Sequence, residues 1–303
     1  MGTHNTRTQK NGLMATKHKK RNIPVDTLRG LACIMLVAYH VIGITPETGL
    51  RLHEGPLKQA NELLAYIRMP LFTFLSGLVY AWRPLKGDWQ SFLKGKIRRL
   101  IIPMLVTGTI FALFQAFTPG TNRQITEWYC LHLKPVAHFW FLEALFIIFI
   151  LVVPLERYKI LDTRQGFAIV WLISATAYIA NIGTPWFSIA GAFYLFPYFL
   201  AGLYCTRFPL QLSHPKTAGY IAITAIAIFL IIYGHEYGGT RRSLNALIIG
   251  TIACISLLLT KTGITDTWLL FIAGTAAGIT GPIIIEHLAD KNKTTRTLLL
   301  GKG

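Results

Sequence analysis

The sequence predicts an all-α protein, a polytopic bundle of transmembrane helices. Hydrophobic residues make up 52% of the chain and charged residues only 14%, whereas about a quarter of the residues in a soluble domain are charged. The apolar residues fall into nine runs of roughly 17–21 residues, the length that crosses a hydrocarbon core. Because unpaired backbone polar groups are excluded from lipid, these runs are predicted to be helices.

The nine predicted spans cover most of the chain. They lie at about 25–43, 63–82, 100–117, 138–154, 166–182, 187–205, 218–233, 244–260 and 267–287. We therefore expect a basic, disordered cytoplasmic tail over 1–22, a transmembrane domain over 23–288 and a polar C-terminal tail over 289–303.

The formal net charge of +17 follows the pattern of a membrane protein rather than that of a nucleic-acid-binding protein. If the nine spans alternate, 18 of the 30 Lys and Arg residues fall on the side of the N-terminal tail, and Arg29 lies within the first span. The positive-inside rule then places the N-terminus in the cytoplasm. We expect the protein in the plasma (inner) membrane. The remaining basicity suits anionic lipid headgroups, and no nucleic-acid partner is predicted.

Nine spans would leave the C-terminal tail outside with four basic residues, Lys291, Lys293, Arg296 and Lys302. Either the count is wrong by one, or a tenth helix is missing at the C-terminus. The four cysteines show no CxxC or CxxH spacing, so neither a metal site nor a disulfide framework is predicted.

The first span carries the sharpest candidate site. Arg29 and His40 are eleven residues apart, which returns to within about 20° of the same helical face roughly 16 Å further along the axis. Cys33 and Leu36 lie on the same stripe. Ionisable groups inside spans are candidates for function. The spacing fits an alternative equally well, in which Arg29 reaches lipid phosphates and His40 makes a packing contact.

A second candidate is the basic segment 94–100 at the entry to the third predicted span. Lys96, Arg98 and Arg99 could bind the phosphates of a nucleotide-like donor through charge-assisted hydrogen bonds. Read alone, the segment fits a positive-inside anchor better than a binding site.

A third candidate is Glu143, which follows the aromatic run 139–141 in the fourth predicted span. A carboxylate inside a span is costly unless it is paired. Glu143 and His40 are expected at similar depth, where a carboxylate could orient an imidazole that acts as a general base. A structural pair between helices is the alternative.

These motifs, in this order, resemble the acyltransferase-3 family of integral-membrane acyltransferases, most of which are bacterial. The resemblance is carried by 25–32 followed by His40, by 69–72 with 74–77, by Lys96 with 98–100 and Pro103, by 139–142 and by 196–202. It covers residues 23–205 well. Lys96 departs from the family pattern, which has two Arg separated by two residues, and 298–303 looks like the lead-in to the family's last helix.

The resemblance implies a bundle of about ten helices that uses cytoplasmic acyl-coenzyme A, most simply acetyl-coenzyme A, to O-acylate a glycan or lipid-linked sugar at the outer side of the membrane. It implies that Arg29, Lys96, Arg98 and Arg99 bind the donor and that His40, supported by Glu143, is the catalytic base, with no metal. Neither the acceptor, nor the acyl length, nor the oligomeric state follows from the sequence.

The alternative from another class is a multi-span transporter or flippase. Arg29, His40 and Glu143 would then line a substrate or proton pathway. Dependence on an acyl donor separates the two functions.

Overall fold

The computed structural model describes residues 22–43, 49–50, 52–118, 128–134, 139–237 and 242–260. For residues 230–237 it describes the backbone only. The described residues form helices and connections and contain no strand. Their α-helices are α1 (Ile23–Ile42), α2 (Pro56–Trp82), α3 (Trp89–Lys96), α4 (Ile102–Phe117), α5 (Trp140–Arg157), α6 (Arg164–Ile179), α7 (Ile189–Arg207), α8 (Pro215–Tyr237) and α9 (Leu244–Thr260).

The prediction of an all-α bundle is confirmed, and each of the first eight predicted spans lies in a helix of similar bounds. Within the described part of the chain, four helical stretches are long and apolar enough to cross a membrane by length and composition: Ile23–Ile42, Pro56–Trp82, Trp89–Phe117 and Trp186–Arg207. The ninth predicted span and both predicted tails, apart from Asn22, lie outside the described residues.

The helix that contains the third predicted span, 100–117, begins well before that span. Helix α3 starts at Trp89 and runs through a π-helical turn, Ile97–Ile101, directly into α4. Asp88 caps α3, since its carboxylate accepts hydrogen bonds from the backbone N–H groups of Gln90 and Ser91 at 3.0 and 2.9 Å. A cap of this kind starts a helix in a polar sequence that apolar periodicity alone does not detect.

The centre of the bundle is the pair α2 and α7, which share the most extensive helix–helix contact. Gly77 and Gly202 each lie against the backbone of the other helix at this contact, so both allow the two helices to pack closely. One apolar core joins α5, α6 and α7 around Ile148 and Leu195. A second joins α1 and α2 to α7 and α9 around Leu28 and Phe74.

The helix ends define two ends of the bundle. A cavity of about 440 Å³ touches the start of α1, the end of α2, the end of α7, the start of α8 and the end of α9, so these lie together. We call this the basic end, because Arg29 and Lys216 also lie near it. The opposite end, where α1 stops at Ile42 and α2 starts at Pro56, is called the far end.

Candidate active site

Helix α1 packs through one face only. Val25, Leu28, Ala32 and Met35 are buried against α2, α7 and α9. The stripe predicted from the sequence lies outside this packed face, since Arg29, Cys33 and His40 are exposed and Leu36 is half-buried. The spacing of these residues therefore predicted their common face correctly.

The two ends of this stripe differ in chemistry. Near the basic end, the Arg29 guanidinium lies 3.6 Å from the Asp26 carboxylate, one helical turn earlier, and both side chains remain partly open to their surroundings. Near the far end, the stripe finishes in the His40 imidazole, two residues before α1 stops. An exposed cation and an exposed imidazole thus lie on one helix face, roughly 16 Å apart along its axis.

The His40 ring lies beside an aromatic neighbour that itself contacts a buried cation. The Tyr39 and His40 rings meet edge to face with centroids 5.2 Å apart. The guanidinium carbon of Arg68, on α2, lies 4.0 Å from the centroid of the Tyr39 ring, well within the range of a cation–π interaction. Arg68 is 2% exposed, so this cation belongs to the interior of the bundle.

Asn61 connects Arg68 to the end of α1. Arg68 Nη2 donates to the Asn61 backbone oxygen at 2.7 Å and to Asn61 Oδ1 at 3.2 Å. Asn61 Nδ2 donates in turn to the backbone oxygen of Gly43, the residue that follows α1, at 3.0 Å. A single buried amide therefore fixes both the guanidinium and the helix terminus next to His40.

Glu143 lies in the first turn of α5 and is 6% exposed. Its Oε2 accepts a hydrogen bond of 2.7 Å from the Ser188 hydroxyl. This bond offsets part of the free-energy cost of burying a carboxyl group. Oε1 has no hydrogen-bond partner among the described residues. The structure thus joins Glu143 to the start of α7, and a direct pair between Glu143 and His40 is not found among the described residues.

Glu143 and His40 both lie towards the far end of their own helices. Glu143 lies 14 residues from the basic end of α5, and His40 lies 17 residues from that of α1. At 1.5 Å per residue these are roughly 21 and 26 Å along the helix axes. That the two groups lie at the same depth stays a prediction, because depth also depends on how the two helices are tilted.

The backbone around Ser188 is strained. Phe187 and Ser188 both have positive φ angles, 54° and 51°. These lie in the left-handed region, which residues other than glycine rarely adopt. The Phe187 N–H donates to the Leu133 backbone oxygen at 2.7 Å, so the segment 128–134 holds this turn in place. Strained backbone of this kind persists only where the surrounding structure enforces it, and strained residues are concentrated at functional sites.

The basic segment divides into an inward and an outward part. The Lys96 ammonium lies 3.5 Å from the centroid of the Phe149 ring and 5.0 Å from that of Phe92, and it is close enough to Arg99 to interact electrostatically. Arg98 and Arg99 are exposed and lie within the π-helical turn, a feature frequent at functional sites. Two guanidinium groups are therefore open to an anionic ligand, whereas the Lys96 side chain already packs between helices.

Asp88 is the N-cap of α3, the helix that leads into the basic segment. Hydrogen bonds from the Ser91 hydroxyl and from the Ser91 and Gln90 backbone N–H groups lower the pKa of the exposed Asp88 carboxyl below its ordinary value. These bonds favour the ionised form, which is also the form that caps the helix best.

The candidate residues thus form three groups that share no hydrogen bond in the described structure: Arg29 with His40 on α1, Glu143 with Ser188, and Lys96 with Arg98 and Arg99. Sequence reasoning missed Arg68 and Asn61. Arg68 had a signal, because it is an ionisable residue inside a predicted span. Ser188 had none, because a serine at the start of a span is unremarkable until Glu143 lies next to it.

A family model described as an acyltransferase domain matches residues 22–287. No curated protein and no solved structure matches the chain.

Proposed function

Because the chain belongs to the acyltransferase-3 family of membrane acyltransferases, we propose that it transfers an acetyl group from acetyl-coenzyme A to a hydroxyl of a glycan or lipid-linked sugar. The observation that carries the proposal is the exposed face of α1, with Arg29 towards one end of the bundle and His40 towards the other. This face links a cation suited to a phosphorylated donor with a base suited to an acceptor hydroxyl.

The transfer step uses His40 as a general base. The acceptor hydroxyl oxygen attacks the thioester carbonyl while the imidazole takes its proton. The tetrahedral intermediate then collapses, the carbon–sulfur bond breaks, and the proton passes to the departing thiolate to give free coenzyme A. The products are an O-acetyl ester and the thiol, and neither an oxidant nor a metal is needed.

The donor would be bound at the basic end. Arg98 and Arg99 are exposed and can form bidentate hydrogen bonds to phosphate, and Arg29 would contribute a third guanidinium. Lys96 would either leave the Phe149 ring to reach a phosphate or fix α3 against α5 while the arginines bind. In this arrangement the pantetheine arm extends along the α1 stripe and brings the thioester towards His40.

The acceptor would enter from the far end. The Glu143 carboxylate keeps one oxygen outside its bond to Ser188 and lies, like His40, in the half of its helix that is nearer the far end. It is therefore proposed as the second catalytic group, acting on the acceptor or on the imidazole through an intervening molecule. We further propose that the basic end faces the cytoplasm, where acyl-coenzyme A is made, and the far end the outer side of the plasma membrane.

The decisive experiment compares the parent with His40→Ala for transfer of labelled acetyl groups from acetyl-coenzyme A in isolated membranes. A lipid and polysaccharide extract from the host supplies the acceptor. Removing a general base is expected to lower the rate by about 10²–10⁴-fold at equal membrane abundance. His53→Ala is the matched control, since its imidazole is exposed near the far end and has no assigned role.

The other outcomes each assign a different function or residue. Equal labelling by the parent and His40→Ala would remove His40 from the mechanism and direct attention to Cys33 or Glu143. Absence of donor-dependent labelling in the parent would reject acetyl transfer and favour a transporter, for which transport of labelled lipid-linked sugar is then measured.

A further inference from the structure

We infer that Arg68 is a positioning residue for the His40 imidazole and that it acts through the Tyr39 ring. The inference rests on the proposed function, because it takes His40 as the base of the reaction. Neither Arg68 nor Tyr39 belongs to the residues that the sequence motifs pointed to.

The first argument is the burial of the cation. Arg68 is 2% exposed on an apolar helix, and a buried charge is costly unless hydrogen bonds and neighbouring groups compensate for it. The Asn61 carbonyl and amide oxygens and the face of Tyr39 provide part of that compensation. A methionine or leucine would fill the same space at lower cost, so packing alone does not explain an arginine here.

The second argument is the order of the three groups. The Arg68 guanidinium lies against one side of the Tyr39 ring, and the His40 ring meets Tyr39 edge to face. Tyr39 is half-buried, whereas His40 is exposed. The bundle therefore encloses the Arg68 guanidinium behind the Tyr39 ring, while the His40 imidazole lies at the exposed surface of α1.

The third argument is that the same hydrogen bonds fix the helix end. Asn61 accepts hydrogen bonds from Arg68, and its side-chain amide also donates one to the Gly43 backbone oxygen at the end of α1. Rotation of α1 about its axis would have to break this bond or move Tyr39 off the guanidinium. Arg68 and Asn61 together thus fix the direction in which His40 leaves α1.

The test compares four variants by steady-state acetyl transfer: Arg68→Met and Tyr39→Leu, which remove the cation and the ring, and Arg68→Lys and Tyr39→Phe, which retain them. The first two are expected to lower kcat by roughly tenfold to a hundredfold, as misplacement of a catalytic group does. KM for acetyl-coenzyme A should change by less than about twofold, because ground-state donor binding is untouched. Tyr39→Phe should keep most of the activity and Arg68→Lys part of it.

Two measurements separate positioning from a loss of fold. Arg83→Met, an exposed arginine at the end of the same helix, controls for removal of a guanidinium. In addition, the rate at which diethyl pyrocarbonate modifies His40, followed by mass spectrometry relative to His53 in the same molecule, reports on the imidazole without catalysis. Arg68→Met and Tyr39→Leu should change this ratio by about threefold or more, the effect of a local change near 0.65 kcal/mol.

Unchanged kcat in Arg68→Met, an unchanged His40 modification ratio, or equal losses in Tyr39→Phe and Tyr39→Leu would each overturn the inference. Failure of the proposed function gives a different result. In that case the parent transfers no acetyl group, while the modification ratio still shows whether Arg68 controls the His40 ring.

Discussion

Gly77 of α2 and Gly202 of α7 are reciprocal: each lies against the main chain of the other's helix. A Cβ atom on Gly77 would overlap the Phe199 carbonyl oxygen, and one on Gly202 would overlap the Phe74 carbonyl oxygen. Because both obstacles are backbone atoms, neither can be relieved by rotating a side chain. The two glycines set the closest approach of the two central helices.

Gly77→Ala and Gly202→Ala are therefore expected to destabilise the bundle, each by about 1–3 kcal/mol or more, since overpacking forces the helices apart. Thermal unfolding of the detergent-solubilised protein measures the effect. Gly95→Ala is the matched control, because a Cβ there meets nothing within 4 Å and alanine favours a helix interior by up to about 1 kcal/mol. Equal Tm values for Gly77→Ala and Gly95→Ala would contradict the close approach.

The ion pair between Glu156 and Arg207 should contribute more to stability than the neighbouring pair between Asp162 and Arg207. Arg207 Nη2 lies 2.6 Å from Glu156 Oε1, with 9% of the Glu156 side chain exposed, whereas Asp162 lies at 3.6 Å and is 55% exposed. Glu156→Gln is expected to cost about 1–3 kcal/mol. Asp162→Asn should change stability by less than about 0.5 kcal/mol. Denaturation in detergent compares the two, and a larger effect of Asp162→Asn would reverse their order.

The start of α3 should depend on pH through Asp88. Its folded pKa lies below the ordinary value of about 3.9, so the stabilisation it provides is fully present above that value and is lost as the pH falls through the folded pKa. Hydrogen exchange of the Gln90 and Ser91 amides, corrected for intrinsic rates, should show protection that declines only below about pH 4. Asp88→Ala should abolish the protection at all pH values, and Asp88→Ser should retain much of it, because serine is also a good N-cap. Protection that rises as the pH falls would contradict this sign.

Arg98→Gln and Arg99→Gln should each raise KM for acetyl-coenzyme A by about tenfold or more, the loss expected for a charge-assisted hydrogen bond to phosphate. Both side chains are exposed, so stability should change little. Added salt should raise KM of the parent and reduce its advantage over the variants. Lys94→Gln is the control, since Lys94 is exposed on the same segment but is not assigned to the donor; an equal effect of Lys94→Gln would indicate a diffuse basic surface instead of a site.

Substitutions at Glu143 and Ser188 should distinguish a catalytic carboxylate from a structural one. Glu143→Gln keeps an oxygen that can accept from Ser188 and should leave Tm nearly unchanged, while acetyl transfer falls by about tenfold or more if the carboxylate takes part in proton transfer. Ser188→Ala leaves a buried carboxylate with a lost partner and should cost about 1–3 kcal/mol. Full activity of Glu143→Gln would assign Glu143 to packing alone.

The sequence contained enough information for the helices because apolar run length records the thickness of the membrane. It also predicted the common face of Arg29 and His40, since both lie on one regular helix whose angular period is known. The start of α3 was missed because it depends on a local cap at Asp88. Partners on different helices could not be read from the chain: Ser188 for Glu143 and Tyr39 for Arg68 become neighbours only after the helices pack.

The π-helical turn at Ile97–Ile101 has a consequence for how this chain can change in length. Such a turn holds one more residue than an α-helical turn without rotating the helix that follows. A one-residue deletion here could be absorbed by restoring a regular turn, with Met104, Gly108 and Ala112 still facing inward. The same deletion inside α4 would swing every later residue by about 100° and expose that inward row. Residues 97–101 are thus the place where the helix entering from the basic segment can gain or lose a residue without changing which of its sides meets the rest of the bundle.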